Sequence, residues 1–310
     1  MRLFHRPAVA ALSLALAAAL VGCGGQHAAA TQHAAAAAQL SGATTASRSA
    51  RVTKLLVFVV ENHSLAEMKA QMPYSYGLAK RYAWASNYHA IRHPSLPNYL
   101  AIAGGSTFGV TDDASPSAHR IRGRSVFGQA LRKGRTATVY ADSMTSNCDL
   151  SSSGEYAVRH NPWAYFVGER GACRRHDVPL TRLASDVRNG RLPNAGMVVP
   201  NLVHDAHDAS LGDADAWLRK QVGMVQQGPD WKRGRLAIVI TADEDDGHSG
   251  NRVLTVVATP SVAGKGAVGA RLTHYSLTRL YDDVLGVARL RHAKGAPSMT
   301  RAFGIPVRHR

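Results

Sequence analysis

Cysteine and acid are scarce in this chain, and long apolar runs are confined to its start. Three cysteines stand in 310 residues, and no zinc-finger or RNP pattern accompanies the basic residues. Nucleic-acid recognition therefore has no module to carry it. Only 21 Asp and Glu face 37 Lys and Arg, a net charge of +16. Such an excess favours anionic partners, whether phosphate esters, lipid headgroups or nucleic acid. An Arg-rich, Ala-rich composition accounts for it equally well, and along the sequence the cations are scattered. After the N-terminal segment nothing reaches transmembrane length, and no internal repeat is present.

What is there begins with an address. Met1 to Arg6 is short and basic, residues 8 to 21 are apolar without a charge, and Gly22-Cys23 follows Leu20-Val21. A core this short reads as a signal peptide rather than a permanent span. A small residue before Cys23 resembles a bacterial lipobox, which implies cleavage before Cys23 and lipidation of its thiol. An ordinary secretory signal with an incidental Cys23 is the alternative. Either way the chain is expected to be exported. It would then be lipid-anchored on the periplasmic or extracellular face of the envelope, or secreted. Removal of Arg2 and Arg6 with the signal lowers the charge by two, to +14. Residues 23–51 are rich in Ala, Thr, Ser and Gln and read as a flexible tether. The expected organisation is a signal at 1–22, a tether at 23–51 and one catalytic domain at 52–310. With Cys23 accounted for, Cys148 and Cys173 remain, and in an oxidising compartment two leftover cysteines form a disulfide more often than they act as ligands.

Five short apolar runs predict buried strands of a parallel sheet: 54–60, 135–140, 196–200, 235–241 and 253–258. Residues 213–226 and 275–288 carry apolar side chains at helical spacing. Strands alternating with helices predict an α/β domain, a central mostly parallel sheet between helical layers in a three-layer α/β/α sandwich. In such folds ligands gather beyond the carboxyl ends of the strands. Three of those ends are loaded with polar groups: Glu61-Asn62-His63-Ser64, His204-Asp205-Ala206-His207-Asp208 and Asp243-Glu244-Asp245-Asp246.

Carboxylates and amides are hard oxygen ligands suited to divalent metals. Glu61-Asn62 alone is equally a turn in which Asn62 or Ser64 caps a helix. Four adjacent carboxylates repel unless some are exposed or a cation neutralises them, and alternation along a strand end lets about two of them share one site. His204, Asp205, His207 and Asp208 suit zinc or a His with an orienting Asp for acid–base work. Ser95, in His93-Pro94-Ser95-Leu96-Pro97-Asn98-Tyr99, precedes a helix-like stretch, a setting for a nucleophile beside anion-attracting amides or for a simple N-cap.

Taken together, Glu61 to Ser64, His93 to Tyr99, His160-Asn161-Pro162, Asp243 to Asp246 and Thr273-His274-Tyr275-Ser276 resemble one family. It is the bacterial phosphoesterase family of secreted acid phosphatases and phospholipase C enzymes, within the alkaline-phosphatase-like superfamily. The motifs fall in family order across residues 54–287. The resemblance implies a metal-dependent phosphoric ester hydrolase working through a phosphoserine on Ser95, with Asn98 at the phosphate oxygens. It places Glu61, Asn62, Asp243 and Glu244, with Ser95, at metal or phosphate. Asp205 and His207 fall at a second metal, and His274 matches the C-terminal motif. Zn, Ca, Mg or Fe could serve. Acid phosphatase activity on phosphorylated small molecules or phosphoinositide headgroups is the expected reaction; phospholipase C or phosphodiesterase activity is the alternative, and a non-catalytic anion-binding lipoprotein a further one. Glu61 stands where the wider superfamily has Asp. The chain also lacks the long insertions of the phospholipase C members. A disulfide between Cys148 and Cys173 would brace the His160 loop.

Overall fold

Leu55 to Val60, six apolar residues in a row, form most of strand β1 (Lys54–Val60), and all six are buried. Complete burial of each such side chain contributes about 1.5–3 kcal/mol, so an uninterrupted run belongs in a strand covered on both faces. The computed structural model describes residues 50–307. The signal, the lipobox at Cys23 and nearly all of the tether lie outside those residues.

The remaining strands are β2 (Ala83–Ala85), β3 (Tyr88–His89), β4 (Ala137–Ala141), β5 (Asp177–Pro179), β6 (Ala195–Val199), β7 (Leu236–Ala242), β8 (Thr255–Ala258), β9 (Gly266–Val268) and β10 (Leu272–Thr273). Eight of the strands form one sheet in the order β5-β4-β6-β1-β7-β8-β2-β9, and β10 pairs with β3 separately. From β5 to β7 all neighbours are parallel. The run predicted at 253–258 becomes β8, which lies antiparallel to both β7 and β2. Its direction has a plain cause: the 243–254 connection holds no helix, and a parallel return needs a crossover, usually helical.

Helices flank this sheet in two packed groups. One holds Ser95–Gly104, Val126–Arg132 and His274–Leu285; the other holds Pro73–Arg81, Thr181–Arg188 and Leu211–Gln227. The last of these buries Leu211, Ala214, Trp217, Leu218, Val222 and Val225, the stripe its periodicity predicts. Ser210 and Asp213 close a capping box at its start. Gly286 ends the His274 helix in the left-handed conformation (φ 66°), which glycine adopts without a Cβ clash. Cys148 and Cys173 are disulfide-bonded. Among the described residues no helix is long and apolar enough to cross a membrane.

Candidate active site

Strand β1 delivers Glu61 to the carboxyl edge of the sheet, where the residue is fully buried. Its Oε2 accepts a hydrogen bond from Ser95 Oγ at 2.7 Å, and its Oε1 accepts one from Tyr99 Oη at 2.5 Å. Both donors come from the Ser95–Gly104 helix, one turn apart. Ser95 is the first residue of that helix, after Pro94 at the cap position. Its hydroxyl is therefore not used to cap the helix; Asp113 Oδ1 accepts from the Leu96 amide instead, at 2.8 Å. Ser64, not Asn62, caps the helix at Leu65–Gln71, forming a capping box with Glu67.

Asp243 follows β7 directly, one strand over. Its Oδ1 accepts from the amides of Asn62 (3.2 Å) and Glu244 (2.7 Å). Burial pushes its pKa up to about 6, against the hydrogen bonds of those two amides. Asn62 (φ 56°) and Ala206 (φ 74°) both take left-handed backbone, an uncommon strain for residues with a Cβ and one that recurs at functional sites.

The third strand end, after β6, supplies Asp205, and the loop braced by Cys148–Cys173 supplies His160. His160 Nδ1 lies 3.1 Å from Asp205 Oδ2, and its Nε2 lies 3.3 Å from Glu61 Oε2. One ligand atom each of Glu61, His160 and Asp205 falls within 4.8 Å of the others, and all three residues are buried. Tyr99 stacks on the His160 ring with centroids 5.2 Å apart. Burial, with Asp243 and Asp205 adding to it, holds the Glu61 carboxyl well above the ordinary range. Burial also raises Asp205 to about 7 and keeps His160 well below a normal imidazole. Three carboxyls and a neutral imidazole thus share one low-dielectric pocket. Within it Asp243 Oδ2 and His160 Nε2 are buried with no hydrogen-bond partner. Oxygen and imidazole donors left unsatisfied this way fit a divalent cation.

The other residues singled out from the sequence fall in different places. Glu244 Oε2 accepts from Asn98 Nδ2 at 3.0 Å, and burial with Asp243 raises its pKa to about 9. Asn98 is spent on its own loop: Oδ1 takes the Ile91 and Arg92 amides, while Nδ2 also donates to Arg92 O at 2.6 Å. His207 stands exposed at the rim, 6.2 Å ring to ring from His160, between Asp208 and the Arg159 guanidinium. His204 turns away to pair with Asp142 at 2.7 Å and to stack on Trp217. His274 has both nitrogens engaged: Nε2 donates to Asp243 O at 2.6 Å and Nδ1 accepts from Tyr88 Oη at 3.0 Å. It has no nitrogen left for a metal. Of the acidic run, Asp245 turns back to accept from the Gly247, Ser249 and Asn251 amides. Tyr99 and His160 lie inside the family-like motifs, yet nothing in those motifs marks either as a ligand or catalyst. Asp113 and Arg159 carried no signal at all. Beside the pocket, Asn62, His63, Glu67, His93, Glu244 and Asp245 border an open hollow of about 400 Å³.

Comparison with known proteins shows the family. The phosphoesterase family profile matches residues 58–288. A phosphatidylinositol-3-phosphatase of Mycobacterium tuberculosis is 29% identical over 257 residues, covering 81% of this chain and 82% of that one. A phosphate-repressible acid phosphatase of Penicillium chrysogenum is also 29% identical, over 72% of this chain but only 55% of its own length. Among solved structures, an alkaline phosphatase superfamily protein from Vibrio parahaemolyticus superposes with a TM-score of 0.55 at 10% identity, covering 79% and 70% of the two chains, which establishes the shared fold. With the family profile spanning most of the domain and the motifs converging on one pocket, the chain belongs to the phosphoesterase family and is a phosphoric ester hydrolase.

Proposed function

We propose that this chain is a metal-dependent acid phosphatase that transfers the phosphoryl group to Ser95 and then to water. The observation that carries the proposal is Ser95 Oγ, hydrogen-bonded at 2.7 Å to a buried carboxylate on the neighbouring strand end. In the first step the oxygen attacks phosphorus, its proton passes to Glu61 Oε2, and the ester P–O bond breaks. The departing alkoxide takes a proton, for which His207 at the rim is the assigned donor. In the second step a water oxygen gives its proton to His207 and attacks the phosphoserine, the Ser95 Oγ–phosphorus bond breaks, Glu61 returns its proton to Ser95 Oγ, and phosphate leaves.

Glu61, Asn62, Asp243 and Glu244 would hold one divalent cation beside Ser95, and Asp205 and His160 offer donors for a second. When bound, such an ion supplies positive charge to a phosphoryl group that stays negative throughout transfer. Tyr99 and Asp113 keep Ser95 and its helix in register for attack, so the residues do their positioning before substrate arrives.

Phosphomonoesters are the proposed substrates, phosphoinositide headgroups among them. The relative named a phosphatidylinositol-3-phosphatase, aligned over most of both chains, supports that choice. Export with an acyl chain on Cys23 would hold the enzyme at an envelope surface. The test is turnover of p-nitrophenyl phosphate, its bis-ester and phosphatidylinositol 3-phosphate by wild type and Ser95→Ala. Loss of monoester turnover in the variant, with fold and metal content kept, is expected. Full activity in that variant would defeat the mechanism, and faster bis-ester turnover would favour a phosphodiesterase.

A further inference from the structure

The other end of the sheet carries its own cluster of charge. Three times in this chain a helix stops, a left-handed glycine follows, and an arginine comes next, just ahead of a strand: Lys133-Gly134-Arg135, Asn189-Gly190-Arg191 and Arg233-Gly234-Arg235. The three glycines have φ of 69°, 63° and 66°. Two of these turns, before β4 and before β7, bring cations that look scattered along the sequence to the wall of one hollow of about 420 Å³. Lys54 from the start of β1 lines the same hollow.

The balance of charge there is one-sided. Asp230 is the one carboxylate among the residues lining the hollow; it is buried and already committed to Lys54 Nζ at 2.8 Å and to the Leu192 amide at 3.2 Å. Lys133, Arg135, Arg233 and Arg235 make no ion pair among the described residues. A blander account is that cations at helix ends complement the helix dipole. It covers Lys133 and Arg233, which are C-cap residues. Arg135 and Arg235 lie two residues further on, at the strand starts, where the dipole has faded. Four like charges around one hollow repel each other, and an anion with several oxygens would relieve that repulsion. Guanidinium forks match the paired oxygens of phosphate, and the volume is that of a small-molecule site.

We propose that this hollow binds a phosphate-bearing anion, at a site separate from the catalytic pocket. Lys54 opens β1 and Glu61 follows it seven positions on, roughly 23 Å away at about 3.3 Å per residue, so occupancy here does not block Ser95. A free phosphate and the headgroup of an anionic lipid present the same chemistry to these side chains.

Two readouts separate those sources: calorimetric titration with inorganic phosphate, and co-sedimentation with phosphatidylglycerol vesicles against phosphatidylcholine vesicles. Both use the full chain as purified, in wild type, Arg135→Ala/Arg235→Ala and, as a guard against misfolding of the first pair, Lys133→Ala/Arg233→Ala. The site predicts that each double variant loses one phosphate per chain, or weakens on anionic vesicles by about tenfold or more, with p-nitrophenyl phosphate turnover unchanged. Loss in the phosphate titration alone assigns a soluble anion; loss on vesicles alone assigns a headgroup. Variants that match wild type in both assays, or wild type that ignores both ligands, overturn the proposal.

Discussion

His274 Nε2 donates to the carbonyl oxygen of Asp243 at 2.6 Å. Because a carbonyl only accepts, the proton sits on Nε2, and Nδ1 is left to accept from Tyr88 Oη. Burial lowers the pKa of this ring to about 4, so it is neutral near pH 7. Its task is to hold the backbone of the residue whose side chain faces Ser95. His274→Ala leaves that carbonyl buried and unpaired, which costs about 1–3 kcal/mol, and it frees the strand end to shift. Lower thermal stability together with a lower kcat is expected, while Tyr88→Phe should give a milder form of both. An alanine variant with wild-type kcat would remove the positioning role.

Tyr99 and Ser95 share one carboxylate, and the two contacts should separate in kinetics. On the proposed mechanism Glu61→Gln removes the acceptor for the Ser95 proton and weakens one metal ligand, so kcat should fall roughly 10²–10⁴-fold and bound metal should fall with it. Tyr99→Phe keeps both but withdraws one donor from a buried carboxylate, costing about 1–3 kcal/mol of stability. It should retain metal. Elemental analysis beside initial rates distinguishes the two. Dialysis against a chelator should abolish turnover in wild type, and added divalent metal should restore it; undiminished turnover after metal is removed would contradict the metal assignment.

The strands were legible because their burial is written in the residue type: 54–60 can only be covered on both faces, and β1 begins and ends where the run does. Direction was not. Val253 to Ala258 reads the same parallel or antiparallel, and only the helix-free 243–254 connection decides it. Short edge strands such as Ala83–Ala85 and Gly266–Val268 carry too few residues to show a pattern. At the site, Glu61, Ser95 and Asp243 were readable since each sits at a strand end or helix start in a polar cluster. His160 is not readable as a site residue, because an imidazole in an irregular segment has no periodicity to aim it. His204 and His207 looked alike three residues apart. Their rings separate because Ala206 takes left-handed backbone between them, a turn that nothing in an alanine announces.

The disulfide gives a sharper test of that irregular segment. Cys148 and Cys173 are 25 residues apart and enclose His160 and Asn161. Closing a loop of this length stabilises the fold by about 3.5 kcal/mol on chain-entropy grounds. The double variant Cys148→Ala/Cys173→Ala should unfold at lower temperature by an amount of that order. Activity should fall as well, since the loop that carries His160 to Glu61 is then held by packing and hydrogen bonds alone, those of Asn161 to Asp177 among them. A variant that is less stable yet fully active would mean the bridge braces the fold and not the pocket.

Asp177 lies beside that bridge and sets a pH dependence that can be signed in advance. Its carboxyl is fully buried; Asn161 Nδ2 donates to both oxygens at 3.0 and 2.9 Å, and burial outweighs this to push the pKa from 3.8 to about 8. Between those two values the folded chain holds a proton that the unfolded chain has released. Folding then takes up a proton, so each pH unit in the window costs about 1.4 kcal/mol. The contribution of protonated Asp177 is whole below pH 4 and drains away as pH rises to about 8, flat beyond. Asp177→Asn cannot ionise and should flatten the urea-unfolding profile across that range by about one proton's worth of slope, gaining on wild type toward pH 8 and not at pH 4. Parallel profiles for the two proteins would mean the carboxylate is ionised in the fold, with Asn161 and Arg170 compensating for its burial after all.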